Sequence, residues 1–223
     1  MGDFNLERVA IYGTGSSLLA DIEESLFRAR IEIAIGIQNL PVENFLSSDI
    51  PIVLLNDVPE ELKSLPFLIP FFTPGDRQAV AKEALAVGFK TPFTLVDPTV
   101  ITARNLDLGA GIYINAGCTI GAASKFAEYV LISRDTGIGH HAYLGRFVSI
   151  GPGAVLAGRV SVGKGSVIGA GAVVLPYISI GENSVVGAGS VVTKDVPHHS
   201  QVVGNPARIV KTDIKGFDGK SVV

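Results

Sequence analysis

Residues 138–173 read IGHHAY LGRFVS IGPGAV LAGRVS VGKGSV IGAGAV when the chain is broken every sixth residue. Each block opens on a large aliphatic side chain. The phase runs on in both directions, through Leu108, Ile114, Ile120, Phe126, Ile132, Ile138, Leu144, Ile150, Leu156, Val162, Ile168, Val174, Ile180, Val186 and Val192. Four residues after each, from Cys118 to Ser190, the side chain is small or β-branched. Glycine often follows the large residue, as at Gly121, Gly139 and Gly163. No α-helix keeps a strict period of six with this much glycine. An ordinary strand would alternate with period two and break at longer turns. A parallel β-helix accounts for the pattern. Each hexad is then a short flat side ending in a tight turn. The large residue points inward, the small one fills the corner, and the glycine supplies backbone angles that other residues resist.

Seventeen of the 26 glycines lie between Leu108 and Val192, with only eight charged residues in that span. The first hundred residues are ordinary by comparison. The pattern breaks near Thr91–Val100, at Pro92 and Asp97-Pro98. The chain therefore divides into 1–95, 96–210 and a tail at 211–223. The first segment reads as α/β. Apolar strands are expected at Arg8–Tyr12, Ile31–Ile37, Ile50–Leu55 and Phe67–Phe72, with helices at Leu18–Ala29 and Arg77–Val87. Their alternation predicts a small Rossmann-like parallel sheet.

The net charge of −3 argues against nucleic acid as a partner, since phosphate binding needs a basic surplus. No apolar run approaches the roughly 18–20 residues of a membrane span. The N-terminus, MGDFNLERVAIYG, carries acids and no apolar leader, so a cytoplasmic protein is expected. The single cysteine, Cys118, falls in the corner series and excludes a disulfide framework.

Two groups of residues invite chemistry. His140 and His141 fall at a turn and point away from the core. The residues stacked on His140, one coil before and after, are Ala122 and Gly158, which leave a notch beside the imidazole. Histidine is suited to taking a proton near neutral pH; a solvated corner histidine is the bland alternative. Arg134 and Asp135, one hexad earlier, read as a local ion pair. His198 and His199 read as exposed loop residues beyond the repeat. No histidine lies one or two coils after His140, so no metal site is expected. The second group is Gly13-Thr14-Gly15-Ser16-Ser17, at the junction of the first strand and first helix, where backbone N–H groups favour an anion. Capping of the helix by Ser16 or Ser17 is the alternative. A third glycine would fall at Leu18, and Gln38-Asn39 rather than an acid follows the second strand. A dinucleotide enzyme is not supported.

Three segments carry a family resemblance: VAIYGTGSS at 9–17, IGHHAYLGRFVSIGPGAVLAG at 138–158, and VVGAGSVVTKDVPHHSQVVGNPARIV at 185–210. Together they resemble the left-handed β-helix (hexapeptide-repeat) acyltransferases. Within them they resemble the bacterial sugar O-/N-acetyltransferases that act on UDP-4-amino-sugars or sialic acids. The resemblance implies a left-handed coil with three sides, a homotrimer, and acetyl-CoA as co-substrate. It places the general base on His140 and the base's usual acidic neighbour on His141. A second family histidine, implicated in acetyl-CoA contact, falls on Ser149. The acceptor-binding turn falls on Gly15, Ser16 and Ser17, with Ser17 replacing a histidine. The acidic pair that contacts the nucleotide falls on Gln38 and Asn39. Acetyl-CoA is expected along the small-residue stripe of Gly169, Ala170, Gly187 and Ala188, with Lys194 meeting its phosphates. The expected activity is N-acetylation of a nucleotide-linked 4-amino-sugar. O-acetylation of a sialic acid or another sugar hydroxyl is the alternative, and a non-catalytic or metal-bearing β-helix trimer the alternative from another class.

Overall fold

The computed structural model describes residues 7–223. Part of the stretch from which the absence of a leader was read, residues 1–6, lies outside the described residues. No helix among the described residues is long and apolar enough to cross a membrane.

The N-terminal part is a four-stranded parallel sheet. Strands β1 (Arg8–Tyr12), β2 (Glu32–Gln38), β3 (Ile52–Leu54) and β4 (Phe67–Leu68) stand in the order β3-β2-β1-β4. The last strand is shorter than its apolar run because Pro70 has no N–H for the ladder. Helix α1 (Leu19–Ala29) follows β1 and buries Leu19, Ile22 and Leu26. Helix α2 (Pro74–Val87) starts three residues before the expected Arg77, with Pro74 in its first turn. The capping alternative fails: no side chain caps α1, and the Ser16 hydroxyl accepts only the Leu18 N–H ahead of the helix.

From β5 (Leu95–Val96) onward the chain coils into a three-sided prism of two-residue parallel strands. The register is eighteen residues, as in Phe126 opposite Leu144 and Ile132 opposite Ile150. Face 1 contains Leu95, Tyr113, Leu131, Ser149, Val167 and Val185; face 2 contains Ile101, Thr119, Gly137, Val155, Val173 and Val191; face 3 runs from Asp107 to Ser179. The period-six aliphatics from Ile114 to Val192 form one buried core, in which Cys118 and Ala142 fill corners.

The glycines after the large residues do not serve the role expected of them. A Cβ at Gly163 would lie 2.6 Å from the Glu182 nitrogen on the next coil, so these positions are glycine for close approach. The left-handed backbone falls two residues later, at Gly117 but also at Tyr129, His141 and Phe147. The final coil is two residues short, pairing Val185 with Gln201 and Ile180 with Val196. His198 and His199 consequently close that coil's corner, stacked on Glu182, and are not residues beyond the repeat.

Face 1 and its two flanking corners carry the N-terminal sheet. Leu95, Tyr113 and Leu131 join α1 in one core cluster, while Tyr129 and Phe147 stack 4.9 Å apart beneath α2. Arg134 pairs with Asp21 of α1 at 3.0 Å; its partner is not Asp135, as local pairing predicted. Arg28 forks onto the buried Asp97. The tail is ordered: Ala207–Lys211 returns antiparallel along Gln201–Gly204, and residues beyond it cross back to α2.

Candidate active site

His140 and His141 occupy the corner between faces 2 and 3, and both are exposed. Their positions are set by the coil: the His141 N–H donates to Ala122 O, and His140 O accepts the Arg159 N–H, each at 2.8 Å. The two rings meet edge on, with Nδ1 to Nδ1 at 2.9 Å. One Nδ1 must carry the proton and the other accept it. With His140 as donor, its Nε2 keeps a free lone pair. That ring edge lies over Gly158 on the next coil, where a Cβ would stand 2.7 Å from Nε2. Alanine precedes at the same corner and proline follows, at Ala122 and Pro176, so the missing Cβ is specific to the coil that faces the imidazole. The site therefore offers a proton acceptor held from one side by a second imidazole and opened on the other by glycine.

Cys118 does not compete as a nucleophile. It is fully buried, its thiol contacts Ser133 O, and burial raises its pKa. Among the described residues no cluster of three or more His, Cys, Asp or Glu is placed to hold a metal.

The residues of the glycine turn, with Gln38 and Asn39, come together at the C-terminal ends of β1 and β2, the edge at which open α/β sheets bind ligands. Gly13 passes its N–H to Ile37 O. A Cβ at Gly15 would run into Val42, and Gln38 Nε2 donates to Val42 O at 2.8 Å, so Gln38 closes the loop above the turn. Gln38 and Asn39 also line a cavity of about 340 Å³ with Leu40, Pro41, Leu54 and Asn56. Ser17 is exposed beside them. Sequence reasoning missed Phe71, beyond β4. Its ring lies against Gly13, where a Cβ would fall 2.5 Å from Cε2. The order β3-β2-β1-β4 brings that loop beside the turn, and no local signal announces it.

Ser149 departs from expectation. It is fully buried on face 1, with its hydroxyl donating to Phe72 O and accepting from Arg77, so it presents nothing to a cofactor on the surface. Gly169, Ala170, Gly187 and Ala188 do stack along the corner between faces 1 and 2, and a Cβ at Gly169 would lie 2.5 Å from the Ala188 nitrogen. Lys194 does not line up with that stripe: it follows the last strand of face 2 and so stands at the corner between faces 2 and 3, the one that also carries His140, in a cavity with Asp195 and Arg208. Within one chain these groups stay apart. The glycine turn belongs to the part packed on face 1, and the stripe runs along one edge of that face. His140 stands at the corner opposite face 1.

The bacterial transferase hexapeptide family (six repeats) matches residues 141–176 and 159–194. No curated protein sequence matches the chain. Solved structures do. A histidine-to-alanine variant of GDP-perosamine N-acetyltransferase from Caulobacter crescentus, in complex with CoA and GDP-perosamine, superposes with a TM-score of 0.83 at 28% identity, covering 92% of this chain and 96% of that one. The acetyltransferase domain of PglB from Neisseria gonorrhoeae, in complex with acetyl coenzyme A, gives 0.79 at 24% identity, covering 92% and 100%. WeeI from Acinetobacter baumannii gives 0.70 at 18% identity, covering 91% and 99%. These last two bear on the fold. The prism and the hexad period define a left-handed β-helix of hexapeptide repeats, and the chain is similar over most of its length to a hexapeptide-repeat acetyltransferase. Like the Caulobacter enzyme, the chain sets a small parallel α/β sheet before the β-helix over nearly its whole length.

Proposed function

We propose that the protein is an acetyl-CoA-dependent acetyltransferase that N-acetylates a nucleotide-linked 4-amino-sugar. The observation that carries the reading is the His140–His141 pair, with Nε2 of His140 left open over Gly158. The similarity to an enzyme seen with CoA and GDP-perosamine supports the substrate class. In the reaction, the sugar amine attacks the thioester carbonyl and a C–N bond forms. The amine proton passes to His140 Nε2. The tetrahedral intermediate collapses, the C–S bond breaks, and the CoA thiolate leaves with a proton from the imidazolium. His141 accepts the Nδ1 hydrogen bond throughout and stabilises the charged ring. Backbone N–H groups of the coil are the donors for the oxyanion.

The separation of acceptor turn, stripe and base within one chain supports a site shared between copies in a homotrimer. Face 2 separates the stripe from the base and exposes Ile101 and Val155, with Leu175 and Tyr177 at its corner. An apolar band of this kind marks an interface, and closed symmetry is the rule for homo-oligomers. A neighbouring copy would bring its stripe, and with it the thioester, to His140. A cytoplasmic setting, where acetyl-CoA is available, belongs to the same reading.

Release of free thiol from acetyl-CoA, measured against GDP- and UDP-linked 4-amino-sugars and against sialic acid, tests the reading. Turnover with an amino-sugar is expected. Turnover only with a hydroxyl acceptor would replace N- by O-acetylation, and none with any acceptor would remove the enzymatic reading.

A further inference from the structure

Residues 214–223 form a strap that ties the last coil to the N-terminal sheet. At its start, the Ile214 N–H donates to His199 O and Ile214 O meets His199 Nδ1, both at 3.0 Å. Further on, Asn183 bonds both the N–H and the carbonyl of Val222, whose side chain is buried. Between these anchors and just past the second, the strap grips one segment, residues 72–78. Phe217 stands edge on against Phe72, with centroids 6.1 Å apart. Lys220 pairs with Asp76 at 2.6 Å, and its side chain lies so close to Gly75 that a Cβ there would fall 2.5 Å away. Gln78 holds both backbone groups of Val223.

The inner side of the same segment is also pinned. The buried Arg77 guanidinium donates to Phe71 O and Phe72 O, and to Tyr129 O and Phe147 O on two successive coils. Its inner edge is the Phe71 ring on Gly13. Two consecutive residues therefore separate the outer clamp from the turn: strap, Phe72, Phe71, Gly13. Phe71, Phe72 and Phe217 are each half-buried, so each ring depends on its neighbour for packing and the loss of one loosens the next.

We infer that the strap is a positioning element for the acceptor turn, with Phe217 and Lys220 as its positioning residues. Neither touches the turn; both set the Phe71 ring that fixes it. The consequence for acceptor affinity rests on the proposed function. The coupling itself does not, and the test separates them.

The full-length Phe217→Ala and Lys220→Ala variants are compared with the native protein by amide hydrogen exchange, with Phe217→Tyr as the conservative control. Faster exchange is expected at residues 13–17 and 71–73, with the β-helix coils 114–168 unchanged and Phe217→Tyr near native. Acceptor KM should rise about tenfold while acetyl-CoA KM stays constant. Unchanged exchange at 13–17 in both alanine variants would overturn the inference, as would a uniform rise across the β-helix. Selective exchange at 13–17 with unaltered acceptor KM would uphold the coupling and remove the acceptor role from the turn.

Discussion

The Nδ1 atoms of His140 and His141 face each other at 2.9 Å, so in the proposed mechanism an imidazole stands where a carboxylate could orient the base. A neutral imidazole fixes the tautomer as a carboxylate does, but contributes no opposite charge when His140 becomes protonated. His140→Ala should lower kcat by on the order of 10²–10⁴ with the fold intact. His141→Ala removes one orienting hydrogen bond and should cost about tenfold. His141→Asp restores a charged partner, at a left-handed position that aspartate tolerates, and should match or exceed native kcat. Steady-state kinetics check all three. Full activity in His140→Ala with its loss in His141→Ala would move the base by one residue.

Gly158→Ala probes the other side of the same ring. The backbone at 158 is not left-handed, so alanine is conformationally acceptable there. Its Cβ would stand 2.7 Å from Nε2 and displace the imidazole. A displacement of this size should lower kcat about a hundredfold. The thermal midpoint should move by no more than a few degrees, since the ring it displaces is exposed.

The shared site predicts complementation. Ala188→Trp should abolish acetyl-CoA binding with the trimer assembled, and His140→Ala should abolish turnover. Mixed trimers of the two should recover activity that neither has alone, because some sites would combine a native stripe with a native base. A stable active monomer, seen by mass measurement in solution, would end the model.

Arg77 is a cation buried without a carboxylate, and burial pushes its pKa down to about 9. Its worth lies in filling backbone carbonyls at the junction. Arg77→Met would leave several of them unsatisfied and should destabilise the protein by about 3 kcal/mol, read as a fall in the urea midpoint. Arg77→Lys should recover only part, since an ammonium cannot span carbonyls on two coils.

Burial alone would raise the Asp97 pKa. Hydrogen bonds from Arg28 and Thr99 outweigh it and hold the carboxyl at about 2, against an ordinary 3.8. The folded pKa is the lower one, so the stabilisation is present above pH 3.8 and is lost as pH falls toward 2. About 2 kcal/mol is at stake. Asp97→Asn should flatten the acid limb of the stability profile in that window. An unchanged limb would assign it to other carboxyls.

The β-helix was legible because its constraint is repeated. Every coil asks for a large residue inside and a small one at the corner, and fifteen hexads ask alike. The notch beside His140 was legible because the eighteen-residue stack is simple arithmetic: Gly158 over His140 follows from the period. The glycine role was misassigned because a period shows that a residue is required, not whether φ or close approach requires it. Ser149 was misplaced by analogy. Its hexad position puts it on face 1, and only the docking of α2 onto that face turns it into a partner of Arg77.

What the residues along the chain determined by themselves is the coil, its register, the parallel sheet before it, and the histidine pair on a corner. All of these depend on neighbours at short or regular spacing. What tertiary structure alone decided is how the two parts meet: Asp21 with Arg134 rather than Asp135, the Arg77 clamp, the Phe71 ring on Gly13, and the strap from residue 214. Those contacts span stretches such as the 39 positions between Asn183 and Val222 and the 144 between Asp76 and Lys220. No local propensity or period specifies them, because their free energy appears only when both surfaces have already formed.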